Sequence, residues 1–142
     1  MNYYFKIIAI WIIYDDRKRV LLGKRSMNED FYPGYRSLPG GKVEIYPEEN
    51  NRSLLENNLK KEIREELGIE VKDIRYLNNH YAIRWKGEQV LYICFAAQHL
   101  SGEPQPLEDT EKVGFFNFEE CRWFDFPPNV LKSLEMFYES EI

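Results

Sequence analysis

Apolar residues first gather at 5–14, where FKIIAIWIIY carries a single charge and then meets Asp15-Asp16-Arg17-Lys18. A short run rich in β-branched and aromatic residues, bounded by a turn signal, predicts a buried strand. Residues 19–24 follow as its hairpin partner, and 28–34 reads as loop. From Leu55 the spacing changes. Leu55, Leu59, Ile63 and Leu67 recur at every fourth position, which is one face of a helix. Ser53 with Glu56 is a candidate capping box at its start, and Gly68 is its stop. Residues 70–85 and 88–99 predict two long strands about Lys86-Gly87. A Pro-containing loop spans 101–109, and 113–118 predicts a further strand. Pro127-Pro128 introduces a second helix over 129–140, with Pro128 suited to its first turn. No repeat, low-complexity tract or linker divides the chain, so a single α/β domain over 1–142 is expected.

The polar positions of the first helix carry the chemistry. LPGGKVE at 38–44 precedes a polar stretch and then LKKEIREELGI at 59–69. With about 100° per residue and Glu62 at zero, Glu66 falls near about 40° and Glu65 near about 300°. All three carboxylates share one side. Glu62 and Glu66 are like charges at i,i+4, which destabilises a bare helix, and they lie towards its C-terminus, where the macrodipole disfavours anions. A hard divalent cation with oxygen ligands reverses both penalties. An acid-rich helix is also commonly a solvated face, and Lys61 with Glu65 fits an ordinary surface pair. The Gly-Gly turn, Glu44 upstream and the position of the acids beside the apolar stripe favour a cleft rim.

These residues resemble the Nudix box, G-x5-E-x7-R-E-U-x-E-E-x-G-U with U aliphatic. Gly41 matches its first Gly, and Glu62, Ile63, Glu65, Glu66, Gly68 and Ile69 match its second half. Glu44 matches the acid usual within the first spacer. Two departures are plain: Lys61 stands where the motif has Arg, and the spacer is six residues longer than the family's. The insert lies within 45–52 and leaves the middle Glu of the motif without a clear match, Glu48, Glu49 and Ser53 being the candidates. A polar surface bulge is the expected form of the insert.

Composition adds limits. Hydrophobic residues at 44% and aromatics at 15% are too many for disorder. A net charge of −5 argues against nucleic acid as the main partner. An acidic protein that handles polyphosphates needs a metal between the charges. Cys94 and Cys121 are far apart and lack a local His, so both read as core residues in a reducing cytosol. Residues 3–14 are too short to span a bilayer and lack a cleavage site, so a cytoplasmic protein without a membrane partner is expected.

The resemblance implies an α/β/α sandwich, a mixed sheet with helices on both sides, and hydrolysis of a nucleoside diphosphate linked to another group. It implies Mg²⁺, with Mn²⁺ as a possible substitute, held by Glu62, Glu65, Glu66 and the Gly40 carbonyl. Glu44 and Lys61 then orient those acids. Relatives take their general base from the helix or from a loop before the last strand. That loop is 108–111 here, with Glu111 the first candidate and Glu108 the second. Arg25 closes VLLGKR and corresponds to an Arg that contacts substrate phosphate; a solvated strand-end charge is the alternative. Asn129 in FPPN resembles an Asn that reads a purine edge, and equally suits an N-cap. Tyr35, Tyr81 and Trp85 are candidates to stack on a base, while His80 and His99 read as structural. The preferred function is a MutT-type cleavage of a (d)NTP to NMP and pyrophosphate. The alternatives are hydrolysis of ADP-ribose, a nucleotide sugar or a dinucleoside polyphosphate, and a nucleotide-binding sensor without catalysis. The base, the leaving group and the oligomeric state stay open.

Overall fold

The structure, a computed structural model, describes residues 4–44 and 54–141. Strand β1 (Lys6–Tyr14) is apolar on both faces because both faces are covered. Ala9, Trp11 and Ile13 point into one core, and Ile12 and Tyr14 into another. Along its whole length β1 pairs in parallel with β6 (Gln89–Ser101), which pairs antiparallel with β5 (Glu70–Ile83). A 3-10 turn, Trp85–Gly87, joins those two, with Lys86 and Gly87 at positive φ.

The other edge of β1 departs from the simple hairpin expected. Its Ile8–Ile10 stretch pairs with β4 (Gly40–Lys42), and β2 (Val20–Arg25) meets β1 only at Tyr14↔Val20. β2 is instead held by β3 (Arg36–Ser37) and by β7 (Thr110–Phe116). One strand edge cannot serve two partners at once, so β2 swings away where β4 takes over, and the sheet forks. The Trp11 amide donates to the Pro39 carbonyl at 2.9 Å in this fork, immediately before the glycine pair.

Helix α1 (Leu54–Leu67) packs Leu59, Ile63 and Leu67 on the Trp11 face, and α3 (Val130–Ser140) packs Leu134 and Phe137 on the Ile12 face. The result is the expected α/β/α sandwich, with seven strands among the described residues. Gly68 ends α1 at φ 72°, a left-handed stop that suits glycine. A short helix, α2 (Phe118–Cys121), was not expected. Asn117 and Glu120 close a reciprocal capping box at its start, so residue 118 belongs to it and not to the preceding strand. β7 begins three residues earlier than expected, at Thr110. α3 begins at Val130, so Pro128 precedes the helix and does not form its first turn. The insert, with Glu48 and Glu49, and the Ser53 cap lie outside the described residues.

Cys94 and Cys121 are buried, unbridged core residues. Burial pushes their thiols up, to about 12 and about 11, so both stay protonated and unreactive. Among the described residues no helix is long and apolar enough to cross a membrane.

Candidate active site

The acids of α1 meet the glycine pair of β4. A Cβ built on Gly41 would stand 3.6 Å and 3.7 Å from the two Glu66 carboxylate oxygens and 3.7 Å from the Trp11 ring. Glu66 is exposed as a whole residue, yet its carboxyl end sits against this backbone. Loss of water around that end pushes its pKa up, to about 7, helped by a hydrogen bond with Glu62 and by the charges of Glu62, Glu65 and Asp109. Two carboxyls in one hydrogen bond are the expected resting state of acids too close to ionise together. The Trp11 indole N–H, buried in the same core, has no hydrogen-bond partner among the described residues.

Gly40 is the more crowded glycine. A Cβ there would lie 2.5 Å from the Ala9 carbonyl oxygen, so only glycine permits β4 this close to β1. Glu44 is exposed, and its backbone carbonyl is held by Asn58, whose buried amide donates at 2.9 Å. Asn58 thereby ties the chain after the glycine pair to α1. Sequence reasoning passed over it because an Asn in a polar helix turn resembles surface; its place beside Leu59 on the stripe was the only sign. Glu65 and Lys61 are exposed on α1.

Two cavities meet at Gly40, Leu107 and Asp109. One, of about 500 Å³, is polar and is lined by Glu66, Glu29, Glu108 and Asp109. The other, of about 970 Å³, is an open cleft over the Ile8 and Ile10 end of the sheet. Arg25, Trp85 and Asn129 all line this cleft.

Glu111, expected in the loop facing the acids, does not lie there. It falls within β7 and pairs with Lys24 at 2.9 Å. The cause is a register shift in the β2–β7 ladder. Lys24 pairs with Lys112 and Arg25 with Thr110, so Glu111 is the residue left over. Such a bulge re-aims side chains. The loop acids on the polar cavity are Glu108 and Asp109.

Arg25 lines the larger cleft, and it is not simply solvated. Its Nη1 donates to Asp109 at 3.0 Å and its Nε to the Phe31 carbonyl at 2.9 Å. Asn129 occupies the N-cap position of α3 at φ 74° without any side-chain cap bond. Its amide is therefore not spent on the helix. Trp85 is 74% exposed at the cleft, whereas Tyr35 packs on Tyr32 and Tyr81 on Phe5. His80 stacks on Tyr92 at 4.7 Å and burial lowers its pKa, while His99 bonds the Gly102 carbonyl at 2.7 Å. Both histidines have structural contacts.

A divalent cation fits this donor set. Mg²⁺ takes only one or two carboxylates and completes its shell with water and substrate phosphate. Glu62 and Glu66 supply that number. Among the described residues no group of three His, Cys, Asp or Glu side chains is gathered as a metal site.

Comparison with known proteins agrees. The NUDIX domain model matches residues 4–137. The NAD-capped RNA hydrolase NudC of Chromobacterium violaceum is 30% identical over 133 residues, which are 93% of this chain and 46% of that protein. The chain thus spans about half the length of that curated relative. The MutT Nudix hydrolase of Burkholderia pseudomallei is 28% identical, with a TM-score of 0.74 over 94% of this chain and 98% of that one. The Nudix domain of Shewanella oneidensis NrtR, solved with ADP-ribose, shares the fold at a TM-score of 0.77, covering 99% of this chain and 91% of its own, at 18% identity. With Gly41 set against Glu66 of α1 and this match across nearly the whole chain, the protein belongs to the Nudix family.

Proposed function

We propose that the protein hydrolyses a phosphate anhydride in a nucleoside diphosphate-linked substrate with the help of a divalent cation, Mg²⁺ first and Mn²⁺ in its place. The observation that carries this is the Glu66 carboxyl, which lines the polar cavity, is hydrogen-bonded to Glu62 and is set against Gly41. A bound cation would offset charge on the phosphate oxygens and acidify an attacking water. The chain's own part is placement. Glu62, Glu66 and the Gly40 carbonyl hold the cation, Glu65 adds charge beside them, and Glu44 and Lys61 flank them. Glu108, on the wall of the polar cavity, is the loop acid best placed to take a proton from water. Arg25 meets phosphate in the larger cleft. Because both cavities open on one sheet, residues 1–142 are read as a single catalytic unit.

A (d)NTP cleaved to NMP and pyrophosphate remains the first substrate reading. Its support is Asn129, whose amide is free of the helix and lines the cleft that a base would enter. Hydrolysis of an ADP-ribose-like or dinucleotide substrate is favoured instead by the cleft's size. About 970 Å³ lies at the upper end of the roughly 300–1,000 Å³ of ligand pockets. The NAD-capped RNA hydrolase named above points the same way. The test is a panel of (d)NTPs, ADP-ribose, nucleotide sugars and dinucleoside polyphosphates with Mg²⁺ or Mn²⁺, with products separated by ion exchange. Metal-dependent cleavage within the phosphate chain of one class is expected. No cleavage of any member, by protein shown to be folded, refutes the reading.

A further inference from the structure

Two of the three guanidinium nitrogens of Arg25 are already engaged. Its Nε donates to the Phe31 carbonyl at 2.9 Å, its Nη1 to Asp109 at 3.0 Å, and its Nη2 faces Glu29 at 3.7 Å. Arg binds phosphate best through two parallel N–H groups. A phosphate that grips the fork through Nη1 therefore competes with a carboxylate already in place. Asp109 is the acceptor able to yield. The Phe31 acceptor is main chain, and Glu29 stands beyond hydrogen-bond distance. The Asp109 side chain is 47% exposed, while its backbone is held: its carbonyl accepts from the Ser26 amide at 3.1 Å, and the next residue pairs with Arg25. Asp109 also lines both cavities, and its charge acts on Glu66.

We infer that Asp109 is a latch on Arg25: it occupies the phosphate-binding fork in the free protein, and substrate phosphate displaces it towards the acids of α1. The inference rests on the proposed function, because it takes the ligand to be a nucleoside diphosphate. The latch makes phosphate arrival and cation attraction one event. A carboxylate neutralised by Arg25 before binding becomes an uncompensated negative charge beside Glu66 afterwards. Asp109 is thus a positioning residue, and its effect on affinity is opposite to that of a residue that merely braces the site.

Equilibrium dialysis of ADP against the protein in EDTA tests this, since nothing is cleaved and no cation contributes. Asp109→Asn should bind ADP about fivefold more tightly than wild type, equivalent to about 1 kcal/mol. Glu108→Gln removes one charge from the same cavity without touching Arg25, and should change affinity less than about twofold. In an Arg25→Gln background the gain from Asp109→Asn should shrink to that of the control. Affinity unraised by Asp109→Asn, an equal gain in Glu108→Gln, or a gain that survives Arg25→Gln overturns the latch. If the wild type also cleaves no nucleotide in the substrate panel, the proposed function fails with it. Cleavage without the affinity pattern sinks the latch alone.

Discussion

Replacing each glycine of the pair by alanine separates what the fold needs from what the site needs. At Gly40 the added methyl would lie 2.5 Å from the Ala9 carbonyl oxygen, 3.2 Å from Ile10 Cδ1 and 3.4 Å from Ile10 Cα. The nearest atom is backbone in the central strand, and it cannot rotate away. β4 must therefore move off β1, and the 2.9 Å bond from Trp11 N–H to the Pro39 carbonyl is strained with it. Overpacking of this kind costs about 1–3 kcal/mol, and a weakened backbone bond adds about 1 kcal/mol. Against that, alanine is favoured over glycine in a strand by about 0.5–1 kcal/mol. The clash wins, and a net loss of about 2 kcal/mol is expected, or about 5–8 °C in Tm for a chain of this length.

At Gly41 the same methyl meets nothing nearer than 3.6 Å, and that neighbour is Glu66. Stability should hold within about 0.5 kcal/mol. Hydrolysis should not, because the methyl fills the space beside the carboxyl that is to take a cation. Urea melts and rates at saturating metal decide the matter. Gly40→Ala should be the unstable variant and Gly41→Ala the inactive one. A Gly41→Ala protein less stable than Gly40→Ala, or a Gly40→Ala protein melting within about 1 °C of wild type, would show that the approach of β4 to β1 is not what sets the glycine requirement.

Glu62→Gln should lower kcat on the order of 10²-fold, as loss of a metal-binding charge does; a near wild-type rate at saturating metal removes Glu62 from the site. The carboxyl of Glu66, raised from 4.5 to about 7, adds stability that is fully present below the unfolded value and is lost as pH rises through the folded one. Wild-type Tm without metal should fall across that window, Glu66→Gln should fall less, and Mg²⁺ should raise Tm more above the window in wild type than in the variant; a metal increment unchanged in Glu66→Gln places the cation elsewhere. Asn129→Gly should keep Tm within about 2 °C, since glycine accepts φ 74° and no cap bond is lost, while kcat/KM falls about tenfold. A fall in Tm with unchanged kinetics would return Asn129 to a purely structural role.

The fold was largely legible because its signals are local. The apolar run of β1, the fourfold spacing of α1 and the Gly68 stop each appear in a few consecutive residues. The partners of β2 were not legible in this way. A turn at Asp15–Lys18 does form, since the Lys18 amide donates to the Asp15 carbonyl at 3.0 Å, but a hairpin turn says nothing of where its second strand goes next. That choice is set by β4 and β7, which arrive much later in the chain. The capping box of α2 was readable as Asn117-x-x-Glu120 and was overlooked because the preceding strand was run past its end.

The candidate site divides along the same line. Glu62 and Glu66 share a helix face, and helix geometry alone brings them together. Gly40 and Gly41 announce a close approach without saying to what; only the strand pairing shows Ala9 on one side and Glu66 on the other. The loop acids were the hardest to assign, because 108–111 holds four polar residues in a row and a strand reverses its facing at every step. Without the bulge, Glu111 would stand opposite Arg25 in a regular ladder. With it, the ladder passes over Glu111, which turns to Lys24, and Asp109 falls beside Arg25. A one-residue irregularity thus decides which carboxylate reaches the seam of the cavities. Sequence spacing cannot report it, since the shift belongs to two strands far apart in the chain, Arg25 and Asp109 being 84 residues apart, and is fixed only when they pair.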